Sequence, residues 1–125
     1  IGCPKKFEPG KEVRAWVKKN NKKIYIYNDA KKAVSGADVI FSDKVISLND
    51  KVNKKKKIQA FKNFKINKKL MSYAKKNCIF LHCLPRGSEV DESVFTSKQS
   101  KVWQQAANRV HVQKSIILYC LGKLR

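Results

Sequence analysis

Three short stretches carry side chains able to hold or process a small polar molecule. The first is His82-Cys83-Leu84, which follows the apolar run Cys78-Ile79-Phe80-Leu81 and stops at Pro85. Proline cannot donate to a ladder, so strand pairing ends near Leu84 and the carbonyls of Cys83 and Leu84 can face a ligand, with a thiol beside them. The same stretch also reads as an ordinary buried strand end, or as a Cys-His nucleophile. The last is weakened because neighbouring strand residues point to opposite faces. The second stretch holds Asp43, Ser47 and Asp50. A carboxylate grips an ammonium group and a hydroxyl assists, although an Asp after a strand is often only a cap or turn residue. The third is Asn108-Arg109, early in a long helical segment. An arginine near a helix N-terminus suits an anion, whereas most lone helix arginines face solvent. His111 reads as a packing or capping residue.

The elements that must position these residues follow from local pattern. Residues 78–81 are short, uncharged and not alternating, as in a central parallel strand. Residues 38–41 and 24–27 also read as strands. Between the last two, Asn28-Asp29 caps a short helix through Val34, closed by Ser35-Gly36. Strand, helix and strand at this spacing make a βαβ unit and hence a parallel sheet, with the ligand crevice at the carboxyl ends of the strands. Helices are expected over 10–20, from Asn67 through Ala74, as a turn near 91–95, and over 104–122. In the last, Ala106, Val110, Ile117 and Leu121 form one apolar stripe. Residues 1–3 read as the tail of a strand, 4–10 as a loop, 52–63 as a solvated loop entering a short helix, and 101–103 as a short strand or extended piece.

Composition bounds the rest. The chain of 125 residues is 42% hydrophobic, enough for one domain with one core. No apolar run approaches the roughly 20 residues of a membrane span, and no signal peptide is evident. The four cysteines show no C-x-x-C pair and no metal-like spacing with His82 and His111, so no metal is expected; their even number admits two disulfides, but Cys78, Cys83 and Cys120 sit in apolar surroundings where free buried Cys is common. A reducing, cytoplasmic setting fits them. The net charge of +20 comes almost wholly from lysines spread along the chain, with one block at residues 54–57. Groove readers favour Arg, and single-strand binders interleave aromatics with basic groups. Neither pattern is present, so specific nucleic-acid binding is not expected. Weak attraction to polyanions follows from the charge alone.

The clusters together resemble one family. Phe80-Leu81-His82-Cys83-Leu84-Pro85-Arg86, then Glu89-Val90-Asp91-Glu92 and Val94-Phe95, is similar to the H-C-L-P region of the aspartate/ornithine carbamoyltransferases. Gln105-Ala106-Ala107-Asn108-Arg109-Val110-His111-Val112-Gln113-Lys114 resembles their Q-A-E-N-R-x-H-x-Q-K helix start. Gly36-Ala37-Asp38-Val39-Ile40-Phe41-Ser42-Asp43, with Ser47-Leu48, resembles their G-A-D-V-x-Y-T-D-x-x-x-S-M segment, and Cys3-Pro4 to Pro9 their P-x-x-Y-E-P entry. The likeness runs over essentially all 125 residues. It implies a Rossmann-like, three-layer α/β domain with a parallel sheet, the C-terminal, ornithine-binding half of the enzyme. It also implies that the first strand and helix of that half lie outside this sequence.

The resemblance implies roles residue by residue. Asp43 would bind the α-amino group of L-ornithine, with Ser47 and Leu48 lining the same pocket. His82, Cys83 and Leu84 would border the δ-amine, the carbonyls of Cys83 and Leu84 holding the carbamoyl amide. Arg109 would contact carbamoyl phosphate, and Cys83 and Arg109 would be the catalytic pair. No cofactor, metal or enzyme nucleophile is implied. The family's S-x-T-R-T and H-P-x-Q motifs are not in this chain, so the expected partner is a carbamoyl-phosphate-binding half, and the chain alone is expected to be inactive. A homo-oligomer, a trimer in the family, is also implied. Leu48 stands for the usual Met, Asn49 for a frequent Gly and Ala107 for the usual Glu. Aspartate as substrate is disfavoured because position 83 is Cys rather than the Pro of H-P-L-P. The competing readings are an N-acetyl- or N-succinylornithine enzyme and a basic nucleic-acid-binding module.

Overall fold

The computed structural model describes residues 1–20, 23–47 and 53–123. Its centre is a pair of parallel strands, β1 (Val39–Ser42) and β2 (Ile79–His82). They run in register, Val39 beside Ile79 through Ser42 beside His82. Both begin one residue later than their apolar pattern suggests, which moves Ser42 and His82 into the ladder. A parallel bridge from Phe80 to Ser100 extends the pairing beyond β2. Phe80 donates to the Gln99 carbonyl at 2.8 Å, and Lys101 donates to the Phe80 carbonyl at 2.9 Å.

Side-chain caps define the starts of three helices. Helix α1 (Lys11–Lys19) follows Gly10. Helix α2 (Ala30–Val34) is capped by Asp29, which accepts from the Lys32 amide at 3.1 Å. Gly36, at φ 68°, closes it in the left-handed region. The lysine block is not a loop: it forms α3 (Lys54–Phe61), capped by Asn53. Lysine is a good helix former, and the cap supplies the acceptor that the first turn lacks. Helix α4 (Lys68–Met71), capped by Asn67, ends three residues before Ala74. Helix α5 is Glu92–Phe95, and α6 runs from Val102 to Cys120.

The core lies around β2. Phe80 and Val102 are fully buried, with Cys78, Val90, Val94, Ile40 and Met71 packed about them. Three sequence expectations fail here. Residues 24–27 form no strand: only Tyr27 bridges, to Gly2, and no bridge joins them to β1 among the described residues. β-propensity reports fit to a half-buried pleated surface, and Ile24 and Tyr25 are exposed. Backbone contacts still hold the segment beside residues 1–3, Tyr27 donating to the Ile1 carbonyl at 2.8 Å and Cys3 to the Tyr27 carbonyl at 3.1 Å. The second failure is the α6 stripe. Val110, Ile117 and Leu121 are exposed, and only Val102 reaches the core. Periodicity shows which face a helix can bury, not what stands opposite. Residues 101–103 likewise give no strand beyond the Ser100 bridge, because α6 starts at Val102. No described helix is long and apolar enough to cross a membrane.

Candidate functional site

Parallel pairing of β1 and β2 brings their carboxyl ends side by side, and the next residue of each strand meets its counterpart. The Cys83 thiol donates to Asp43 Oδ1 at 3.0 Å. The same oxygen accepts from the Lys44 amide at 2.7 Å. These two hydrogen bonds, the thiol's first, hold the Asp43 carboxyl below its ordinary range. The thiol moves the other way: burial raises it, and the neighbouring Asp43 carboxylate raises it further. At neutral pH the pair is therefore a carboxylate beside a protonated thiol. Such a pair can receive an ammonium group or a neutral amine, and the thiol is a weak nucleophile.

Behind this pair His82 is almost fully buried. Its Nε2 lies 3.0 Å from Glu89 Oε1, and its Nδ1 contacts the Cys83 carbonyl. Its amide donates to Gln105 Oε1 at 3.2 Å, which ties the start of α6 to the end of β2. Leu84 is 42% exposed and its bond to Pro85 is cis. Beyond it Arg86 donates to the Val90 carbonyl at 3.3 Å, pairs with Glu92 and lies 5.0 Å from the Phe95 ring centre. Arg86 thus fastens the loop to α5 instead of facing a ligand.

Asp43 and Cys83 are in contact, and His82 and Leu84 flank Cys83. Ser47 is exposed, four residues beyond Asp43. Leu48 and Asp50 lie outside the described residues. Arg109 is exposed and has no hydrogen-bond or ion-pair partner among them. It stands one helical turn, about 6 Å, beyond Gln105 on the same face of α6. A cavity of about 740 Å³ is lined by Asp43 together with Gly2, β1, Phe61 and Glu89. Among the described residues no cluster of His, Cys, Asp or Glu could hold a metal, and all four cysteines are free.

Sequence reasoning gave Glu89 and Gln105 no role beyond membership of a motif. Each contributes an oxygen to His82, a side-chain carbonyl from Gln105 on α6 and a carboxylate from Glu89 seven residues on, and neither contact is announced by residue type alone. The one local hint is Glu89 beside Val90, a carboxylate directly before an apolar residue in a short loop.

A family model described as aspartate/ornithine carbamoyltransferase, Asp/Orn binding domain, matches residues 1–120. The ornithine carbamoyltransferase of Campylobacter curvus is 41% identical over 129 residues, covering 98% of this chain and 42% of that protein. That of Helicobacter hepaticus is 52% identical over 99 residues, covering 78% of this chain and 30% of the relative. The solved anabolic ornithine carbamoyltransferase from Campylobacter jejuni superposes with a TM-score of 0.83 at 31% identity, over 98% of this chain and 43% of that one. The chain thus spans less than half the length of these relatives. The likenesses favour a carbamoyltransferase over the nucleic-acid module that charge alone would admit.

Proposed function

Because this chain belongs to the aspartate/ornithine carbamoyltransferase family, through its Asp/Orn-binding domain, we propose that it forms the amino-acid-binding part of an ornithine carbamoyltransferase. The complete enzyme would transfer the carbamoyl group of carbamoyl phosphate to the δ-amine of L-ornithine, giving L-citrulline and phosphate, a step of arginine biosynthesis. The observation that carries this reading is the Asp43–Cys83 contact at the carboxyl ends of two adjacent parallel strands. Asp43 stays ionised and meets the α-ammonium of ornithine in a charge-assisted hydrogen bond. The family resemblance assigns Ser47 and Leu48 to the lining of the same pocket.

The deprotonated δ-amine attacks the carbamoyl carbon, the bond to the phosphate oxygen breaks, and phosphate leaves with the electron pair. The amine's surplus proton goes to solvent or to the departing phosphate. Cys83 stays a protonated thiol beside the amine, and the Leu84 carbonyl accepts from the carbamoyl amide. Arg109 offsets charge on the phosphate. Catalysis is then mainly positioning and charge stabilisation, with no cofactor and no covalent enzyme intermediate. Carbamoyl phosphate needs a second half, which this reading assigns to another part of the enzyme, together with a homo-oligomeric assembly in the cytoplasm. On this reading the 125-residue chain alone makes no citrulline.

The test compares L-ornithine with N-acetyl-L-ornithine, by calorimetry and by citrulline formation, in the chain assembled with a carbamoyl-phosphate-binding half. Acylation removes the ammonium that Asp43 requires, so ornithine should bind and react and the acetylated form should not. Preference for the acetylated form, or citrulline formed by the chain alone, contradicts the proposal.

A further inference from the structure

The backbone just after β2 has little of its own to hold it. Among the described residues, Leu84 and Arg86 make no backbone hydrogen bond, and the Leu84 side chain is half-exposed. The Arg86 side chain supplies the restraint. One guanidinium nitrogen donates to the Val90 carbonyl at 3.3 Å, the other pairs with Glu92, and the group lies 5.0 Å from the Phe95 ring centre. Two of these anchors are themselves fixed. Val90 is buried and bridged to Ile66, whose amide donates to the Glu89 carbonyl at 2.9 Å and whose carbonyl accepts from the Asp91 amide at 2.9 Å. Phe95 is buried and meets Trp103 of α6 edge-on, 5.9 Å between ring centres. Glu92 is exposed, so the ion pair alone contributes little. The ring and the carbonyl hold the guanidinium more firmly, because a planar fork can stack and donate at once.

We propose that Arg86 is a positioning residue for the carbamoyl group: by pinning the turn after β2 to Val90 and Phe95, it holds the Leu84 carbonyl where the carbamoyl amide donates to it. This deepens the carbamoyltransferase reading and rests on it for its kinetic consequence, but not for its structural one. Arg86 makes no hydrogen bond or ion pair with Asp43 or Cys83. Its loss therefore frees the acceptor for the carbamoyl amide and leaves the carboxylate for the ornithine ammonium in place. The damage falls on turnover and spares ornithine affinity. Through Phe95 and Trp103 the same side chain ties the turn to α6, the helix that carries Arg109, so the groups assigned to the two ends of carbamoyl phosphate share one anchor.

The test uses R86A and R86K in the protein assembled with its carbamoyl-phosphate-binding half, with three readouts: kcat, the Kd for L-ornithine by calorimetry, and the ¹⁵N order parameter of the Leu84 amide. R86A should lower kcat by about tenfold to a hundredfold, as displacement of a reacting group does, while the ornithine Kd stays at the wild-type value. R86K keeps the charge and loses the fork, so its kcat should lie between R86A and wild type. It also decides the matter if R86A fails to fold. The order parameter should be near 0.85, roughly that of rigid backbone, in the wild type and fall in both variants. A wild-type kcat in R86K overturns the proposal, since charge alone would then suffice. So does an ornithine affinity lost by the same factor as kcat, which would mark a general collapse of the site. If the wild-type assembly makes no citrulline, the functional reading fails, while an order parameter unchanged by either substitution still refutes the latch.

Discussion

Asp43 and Cys83, 40 residues apart in sequence, share a hydrogen bond of 3.0 Å because each is the first residue after one of two paired parallel strands. The pairing places a carboxylate and a thiol at the same edge of the sheet. It also sets their charge states, the acid ionised and the thiol neutral. That combination suits recognition of an amino acid through its ammonium group better than covalent catalysis.

Replacement D43N removes the charge and keeps the shape. A hydrogen bond to a charged group contributes about 1.5–3 kcal/mol, so ornithine affinity should fall roughly tenfold to a hundredfold. Calorimetric titration of the assembled enzyme measures this directly. An unchanged affinity would remove Asp43 from the pocket.

The two shifts have opposite signs with pH. Asp43 is depressed on folding, so its contribution to stability is present above the unfolded carboxylate value and lost as pH falls through the folded one. Cys83 is raised, so the contribution of its neutral thiol is present below the unfolded thiol value and lost as pH rises through the folded one. Alkylation of Cys83 by iodoacetamide should therefore have its midpoint above that of N-acetylcysteine. In D43N the midpoint should drop part of the way, because burial still opposes the thiolate. A midpoint that rises in D43N would show that the carboxylate does not act on the thiol as described.

Gln105 is the only described acceptor for the buried His82 amide. Q105A orphans that N–H, which costs about 1–3 kcal/mol. Urea unfolding should show the loss as a lower midpoint with an unchanged slope. Wild-type stability in Q105A would mean that α6 is anchored by Val102 alone.

The +20 charge should produce weak binding to any polyanion. Fluorescence anisotropy with unrelated DNA and RNA oligonucleotides should show no sequence preference and should fade as salt rises. Retention of one sequence at high salt would revive the nucleic-acid reading.

Much of this architecture could be read from local pattern. The β1 and β2 runs, the Asp29 and Asn67 caps and the Gly36 stop all rest on residues whose preferences act within a few positions. What failed depended on partners elsewhere in the chain. The aromatic run at 24–27 has the composition of a strand but makes only one bridge. The α6 stripe has the spacing of a core helix but faces outward in this chain. In the site, Asp43 and Cys83 could each be picked out by type and place. Glu89 could not, because its role exists only through the folded position of His82.

In the proposed site ornithine seats its amines beside Asp43 and Cys83. The rate of Cys83 alkylation in the assembled enzyme, measured with saturating L-ornithine and carbamoyl phosphate, tests that contact. Ornithine should slow labelling, N-acetyl-L-ornithine should not, and D43N should abolish the protection. Labelling of Cys83 at the same rate with and without ornithine would contradict the account.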